Sequence, residues 1–273
     1  MAMLFRSSML INRILCSSEV LYGVKMKHIE VLEKCDKIFF TKLFSVPFSC
    51  PYESFFLETG ALPIRFIIIG RRLMYYWSLL NKADNELAKQ VFQIQKQFPR
   101  KDDWILDVYE NLEFCEISLS EDEIKRLSKA RFKKLVKKQI KIKAEEYLRN
   151  LQEDHSKTKN LSNYRFQSYL SDEKLSIDNK KLLFQLRTRS THTRANYKDK
   201  YKFDLSCPLC KDKTSEQTDA HLLTCSAMDN VLASKTELQH MKHEHIFDEL
   251  DKQVRITEVY KDIFKLINSS FSL

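Results

Sequence analysis

Glycine and proline are nearly missing from this chain, at 3 and 5 of 273 residues. β-Rich folds draw on both residues for hairpins, bulges and tight turns. The scarcity therefore points to an all-α fold, an irregular helical bundle whose helices are joined by short turns. Three glycines are also too few for a phosphate-cradling loop, and neither GxGxxG nor a P-loop motif occurs. HExxH is absent, no Ser or Cys sits in a recognisable nucleophile motif, and there is no Tyr/Phe-x-Asp-Asp pair of polymerase type. No active site can be named, and the chain is read as not an enzyme. The most apolar run, residues 64–80, is interrupted by Arg65, Arg71 and Arg72, so it reads as a core helix with a basic edge and not as a membrane span. A secretory signal is lacking and the cysteine count, seven, is odd. Both features fit a reducing intracellular location, nuclear and/or cytoplasmic. Residues 2–18 have the basic, serine-containing, acid-free character of a transit peptide, but their periodicity suits a helix of the fold better.

What is present begins with charge. The formal net charge is +9 and 30% of residues are charged. Such an excess favours polyanions, and the partner expected is RNA and/or DNA held through phosphates, with no membrane. The most specific pattern lies near the C-terminus. Cys207, Cys210, His221 and Cys225 form C-x2-C-x10-H-x3-C within nineteen residues. Three thiolates and one imidazole are a sufficient tetrahedral set for a structural Zn²⁺, and with all four positions filled no open site remains for a catalytic water. Three unrelated buried thiols beside a surface histidine would not explain the clustering. His240, His243 and His245 lie downstream at a spacing that suits a helix face and are competing ligands to His221.

Taken in order, apolar residues recur at helical spacing almost throughout. Pro51 suits the start of a short helix over residues 52–59, Gly60 its end, and Pro63 the start of the next. Asp102 and Asp103 are adjacent, so they do not share a helix face as paired metal ligands would; they sit where an N-cap acid belongs. Ser120 and Glu123 spell a capping box, which is expected to launch one long helix over residues 121–153. Residues 124–143 hold ten basic residues and no acid, with Lys125, Lys129, Lys133, Lys137 and Lys141 at intervals of four. Like charges at that interval cost a helix about 0.2–0.5 kcal/mol per pair. The ridge is either a solvated face or a surface laid against phosphates. Residues 154–162 read as a loop and as the domain boundary, giving a helical domain over 1–153 and a second over 154–273 with the metal module at 203–228. Before the cysteines, Arg187, Arg189 and Arg194 mix with Tyr197, Tyr201 and Phe203, a combination suited to single-stranded nucleic acid or to the core of a small zinc module. An apolar face over residues 256–267 is a candidate docking surface for a protein partner.

Three stretches carry a family resemblance. The runs LINRILCSSEVLYGVKMKHIEVLEKCDKIFFTKLF, FFLETGALPIRFIIIGRRLMYYWSLLN and SEDEIKRLSKARFKKLVKKQI, followed by CPLC and AHLLTC, resemble the region after the catalytic palm in reverse transcriptases of non-LTR retrotransposons. The likeness runs from about Leu4 to Cys225, and LETGALPIRFIIIGRRL and the cysteine–histidine set are its most specific parts. It implies a helical thumb-like and linker region, a CCHC zinc knuckle, and a hold on template RNA or target DNA. The fingers and palm with their aspartates have no counterpart, so polymerase activity does not carry over, and the expectation is a C-terminal fragment, a trimmed gene model or a decayed copy. The alternatives are a helical zinc-dependent protein-interaction module and an element copy with no selected function.

Overall fold

The computed structural model describes residues 6–20, 26–101, 103–154, 157–158, 161, 164–197, 204–210, 214–218, 221–222, 225–228, 257–263 and 265. Among these the chain is helical, and pairing outside helices is confined to two isolated antiparallel bridges, Thr59 with Phe166 and Ser206 with Glu216. A π-helical turn, Arg6–Leu10, leads into α1, Ile11–Ile14. Then follow α2 (Met26–Phe44), α3 (Tyr52–Thr59), α4 (Ile64–Leu80), α5 (Leu87–Gln97), α6 (Trp104–Phe114), α7 (Glu121–Arg126), α8 (Lys129–Asp154), α9 (Ser168–Ser171) and α10 (Ile177–Arg187). Residues 257–263 are helical as well. No helix among the described residues is long and apolar enough to cross a membrane.

The chain divides into two compact units. One comprises Met1–Asp36 and Leu62–Asn150, the other Lys37–Ala61 and Leu151–Leu273. Residues 37–61 join the second unit across the sequence.

In the first unit α4 is central. Phe66, Leu73, Tyr76 and Leu79 are buried with Trp104, Ile105 and Val108 of α6 and Phe132, Val136 and Ile140 of α8. Gly70 permits the close approach of α8, since a Cβ there would stand 2.9 Å from Ile140 Cδ1. The three arginines of α4 are all engaged. Arg65 grips Glu33 through two bonds of 2.7 and 2.9 Å, Arg71 donates to the Leu15 carbonyl and Asn12, and Arg72 lies 3.2 Å from Asp107. Arg6 is buried against Asp36 with a bidentate pair of 2.8 and 2.6 Å, and it also donates to the Leu62 carbonyl. Excellent geometry of this kind is what lets a buried ion pair offset its desolvation.

The expected single helix over 121–153 is two helices. The capping box at Ser120 and Glu123 forms, but Leu127 leaves the helix with ψ of 134°. Ser128 then restarts it: its side chain accepts the Arg131 N–H, and the Leu127 carbonyl released by the break accepts the Trp77 indole N–H at 3.0 Å. The break costs little because both freed groups find partners. Asp103 stands at the N-cap of α6, yet its carboxylate accepts the Arg100 N–H at 2.6 Å and does not cap the helix. Asp102 lies outside the described residues.

The second unit is built on stacked phenylalanines. Phe44 and Phe184 stack at 3.9 Å, Phe40 and Phe55 at 4.9 Å, and Phe55 and Phe184 at 5.5 Å. Gln185, on α10, donates to the terminal carbonyls of α2 at Phe44 and Ser45. Gly60 ends α3 in the left-handed region at φ 62°, with its N–H on the Phe56 carbonyl. A Cβ there would meet the Phe166 nitrogen at 2.7 Å. Gly60→Ala should therefore cost about 1–3 kcal/mol, from both the backbone region and the clash. It is read as a lower urea midpoint by circular dichroism, and an unchanged midpoint would contradict this account of the turn.

Candidate metal centre

The four residues picked out by spacing are brought together. One ligand atom from each of Cys207, Cys210, His221 and Cys225 lies within 4.8 Å of all the others. Cys207 Sγ is 3.8 Å from Cys225 Sγ, and Cys210 Sγ is 3.5 Å from His221 Nε2. A tetrahedral ion with metal–sulfur bonds near 2.3 Å and a metal–nitrogen bond near 2.0 Å has ligand–ligand edges of about 3.5–3.8 Å. Those two separations are already edges of such a tetrahedron, and the group can hold a metal ion.

Local pairing explains how the chain gathers it. Residues 205–207 run antiparallel to residues 215–217, with the Cys207 N–H on the Ser215 carbonyl and the Gln217 N–H on the Leu205 carbonyl. This two-rung arm returns the chain to the first cysteine pair. Thr218 then starts a helical turn. Its hydroxyl accepts the His221 N–H at 3.1 Å and its carbonyl accepts the Leu222 N–H at 3.0 Å. The turn carries His221 toward Cys210 and buries Leu222 completely. Cys207 and Cys225 are each 1% exposed, whereas Cys210 and His221 are half-buried.

Burial, with the adjoining Cys207 sulfur, pushes Cys225 up to about 12, so with no ion bound that thiol stays protonated. A divalent ion reverses that balance, because it binds thiolates and releases their protons. Among the described residues the remaining cysteines offer no second centre. Cys50 and Cys115 are buried singly and pushed up to about 11 by that burial, and Cys16 and Cys35 are exposed. His240, His243 and His245 lie outside the described residues, as do Tyr201 and Phe203.

The basic residues named from sequence fall into two groups. Lys125 lies on α7 and Lys129, Lys133, Lys137 and Lys141 on α8, and all five are exposed. Arg131, Lys134 and Lys138 are exposed beside them. Lys141 has an acidic neighbour, Glu145, at 3.7 Å. Lys143 is drawn aside by Glu116 and Glu146 at 2.5 and 3.2 Å.

The arginines before the cysteines behave differently. Arg187 is not a solvated cation: its Nε donates to the fully buried Glu58 at 2.8 Å, and Glu58 also accepts the Tyr169 hydroxyl at 2.8 Å. Arg194 donates to Asp204 at 2.7 Å and to the Ser206 carbonyl at 3.2 Å, so it braces the arm that carries Cys207. Gln217, 2% exposed, holds the same joint by accepting the Arg194 N–H through its side chain and the Ala195 N–H through its backbone. Arg189 occupies a left-handed position at φ 49° after α10. Arg187 and Arg194 are therefore structural here. Asp204 and Gln217 are the site's supports that sequence reasoning misses, and Glu58 is the partner that takes Arg187 out of the basic run. Only the Asp204 to Ser206 turn is local enough to have been seen.

No protein-family model matches the chain, and no curated protein or solved structure matches it either.

Replacing one ligand should undo this module alone. Cys210→Ser is expected to abolish protease resistance across residues 204–228 while α4 to α7 stay resistant. Equal resistance in the variant and the parent would count against a metal-held module.

Proposed function

We propose that this chain is a zinc-stabilised nucleic-acid-binding module. Its closest functional analogy is the region after the palm in non-LTR retrotransposon reverse transcriptases, and it performs no polymerisation itself. Zn²⁺ is the ion that suits a Cys3His set, being tetrahedral, borderline-soft and redox-inert. Cys207, Cys210, His221 and Cys225 hold it in a structural role. The ion fixes the short segment between the arm and the turn, which has too little apolar surface to fold alone.

The observation that carries the nucleic-acid reading is the exposed basic face of α8. Lys129, Arg131, Lys133, Lys134, Lys137, Lys138 and Lys141 all face water. Among the described residues Lys129, Lys133 and Lys137 have no acid placed to neutralise them. A purely solvating face gains from interspersed Glu at i, i+4, and this one forgoes it. The same helix does pair Lys143 with two acids, so the sequence uses such pairing where it is structural. Phosphates bound along the face would supply the missing counter-charge. Arg187 and Arg194 are left out of this surface because their partners are internal, and RNA and DNA are equally served by it.

The alternative of a partner docked on the C-terminal helix has less to rest on. Val259, Tyr260 and Ile263 are fully buried within the chain, and Ile256, Phe264 and Ile267 lie outside the described residues.

The test is binding to RNA and to DNA across salt. Affinity should fall linearly in log–log form. Changing Lys129, Lys133 and Lys137 together to Gln should flatten the slope by about 2.7 on duplex or about 2.1 on a single strand, uniformly across sequences. A slope unchanged by the triple variant, or no binding at low salt, would overturn the reading.

A further inference from the structure

α5 is arranged the wrong way round for a surface helix. Its two lysines lie on the side away from the apolar stripe, Lys89 buried and Lys96 exposed. Lys89 is buried and donates to the Leu79 and Leu80 carbonyls at 3.0 and 3.1 Å, closing the end of α4. Lys96 pairs with Glu121 at the start of α7. Phe92 lies between them, 3% exposed, with its ring edge-on to Tyr76. The opposite face is apolar and open to water: Leu87 is 75% exposed, Val91 47%, Ile94 59% and Phe98 72%. Steps of four and three set Leu87, Val91 and Ile94 in one line along the helix, and Phe98 follows at its C-cap. The line is rimmed by Gln90 and Gln97 on one side and Gln95 on the other. A surface helix normally buries its apolar stripe; this one leaves it open to water.

We infer that the stripe pairs with its own copy, making an isologous homodimer across α5. The spacing is that of alternating a and d positions, which is self-complementary under a two-fold axis. The charge pattern selects the occupant. On a chain of net charge +9, this stripe and its glutamine rims carry no exposed cation to oppose another copy. Glutamines can instead bond across the rims. A polyanion finds nothing to bind on this face. A lipid surface is a poor fit too, because interfacial helices flank their apolar side with Lys or Arg. The stripe offers on the order of 500 Å² per copy, about 1,000 Å² in all, which is the low end for a specific interface and implies a reversible dimer.

Sedimentation equilibrium on the full, reduced, zinc-loaded chain tests this from about 5 to about 500 µM. The weight-average mass should climb from 32.5 kDa toward twice that value. Val91→Glu with Ile94→Glu should hold it at 32.5 kDa throughout. Val91→Gln with Ile94→Gln, milder at these exposed positions, should shift the association at least tenfold with unchanged circular dichroism. A parent chain that stays at 32.5 kDa at every concentration overturns the inference. So does association that the substitutions leave intact. Binding of a monomeric parent to anionic vesicles, lost in both variants, would assign the stripe to lipid and overturn it as well.

Discussion

Three thiols and an imidazole held within 4.8 Å of one another are an arrangement that water and a folded chain do not favour without a cation. Burial and the adjoining Cys207 sulfur drive Cys225 toward its protonated form. Among the described residues the segment around the four ligands buries few apolar side chains: Leu222, Cys207 and Cys225. Its backbone pairing is the two-rung arm and the Thr218 turn. An ion bonded to all four ligands supplies what the missing core cannot. The braces follow from the same constraint. Arg194 and Gln217 fix the arm to the turn at residues 194–197, so the ligands meet in one geometry and not several.

Charge is partitioned in this protein with a consistent logic. Where a basic residue has a structural task, an acid or a carbonyl meets it: Arg6 with Asp36, Arg65 with Glu33, Arg187 with Glu58, Lys89 with two helix-end carbonyls. The face of α8 is the exception, where among the described residues Lys129, Lys133 and Lys137 have no acid placed to neutralise them. α5 is the mirror case. There Lys89 is spent inward and the apolar side chains are left outward, which suits association between copies of a chain that otherwise repels itself.

Much of the fold was legible wherever one residue type decides the local backbone. Pro51, Gly60 and Pro63 bracket two helices because a fixed φ and a left-handed turn are properties of single residues. Ser120 and Glu123 cap as spelled. The metal group was legible because its spacing is local and its chemistry narrow. The break at Ser128 was hidden, since Ile124, Leu127 and Phe132 keep a helical rhythm through it, and only Trp77, fifty residues away, explains how the loose carbonyl is satisfied. Arg187 looked like part of a basic run because its partner Glu58 lies 129 residues back in the chain. The joining of residues 37–61 to the second unit rests on the same kind of distant packing, phenylalanine on phenylalanine, which no local pattern announces.

X-ray absorption at the zinc edge of the purified chain tests the metal site most directly. One zinc per chain is expected, with three sulfur neighbours near 2.3 Å and one nitrogen near 2.0 Å. A chain that carries no zinc, or a zinc surrounded by oxygen and nitrogen alone, would contradict it.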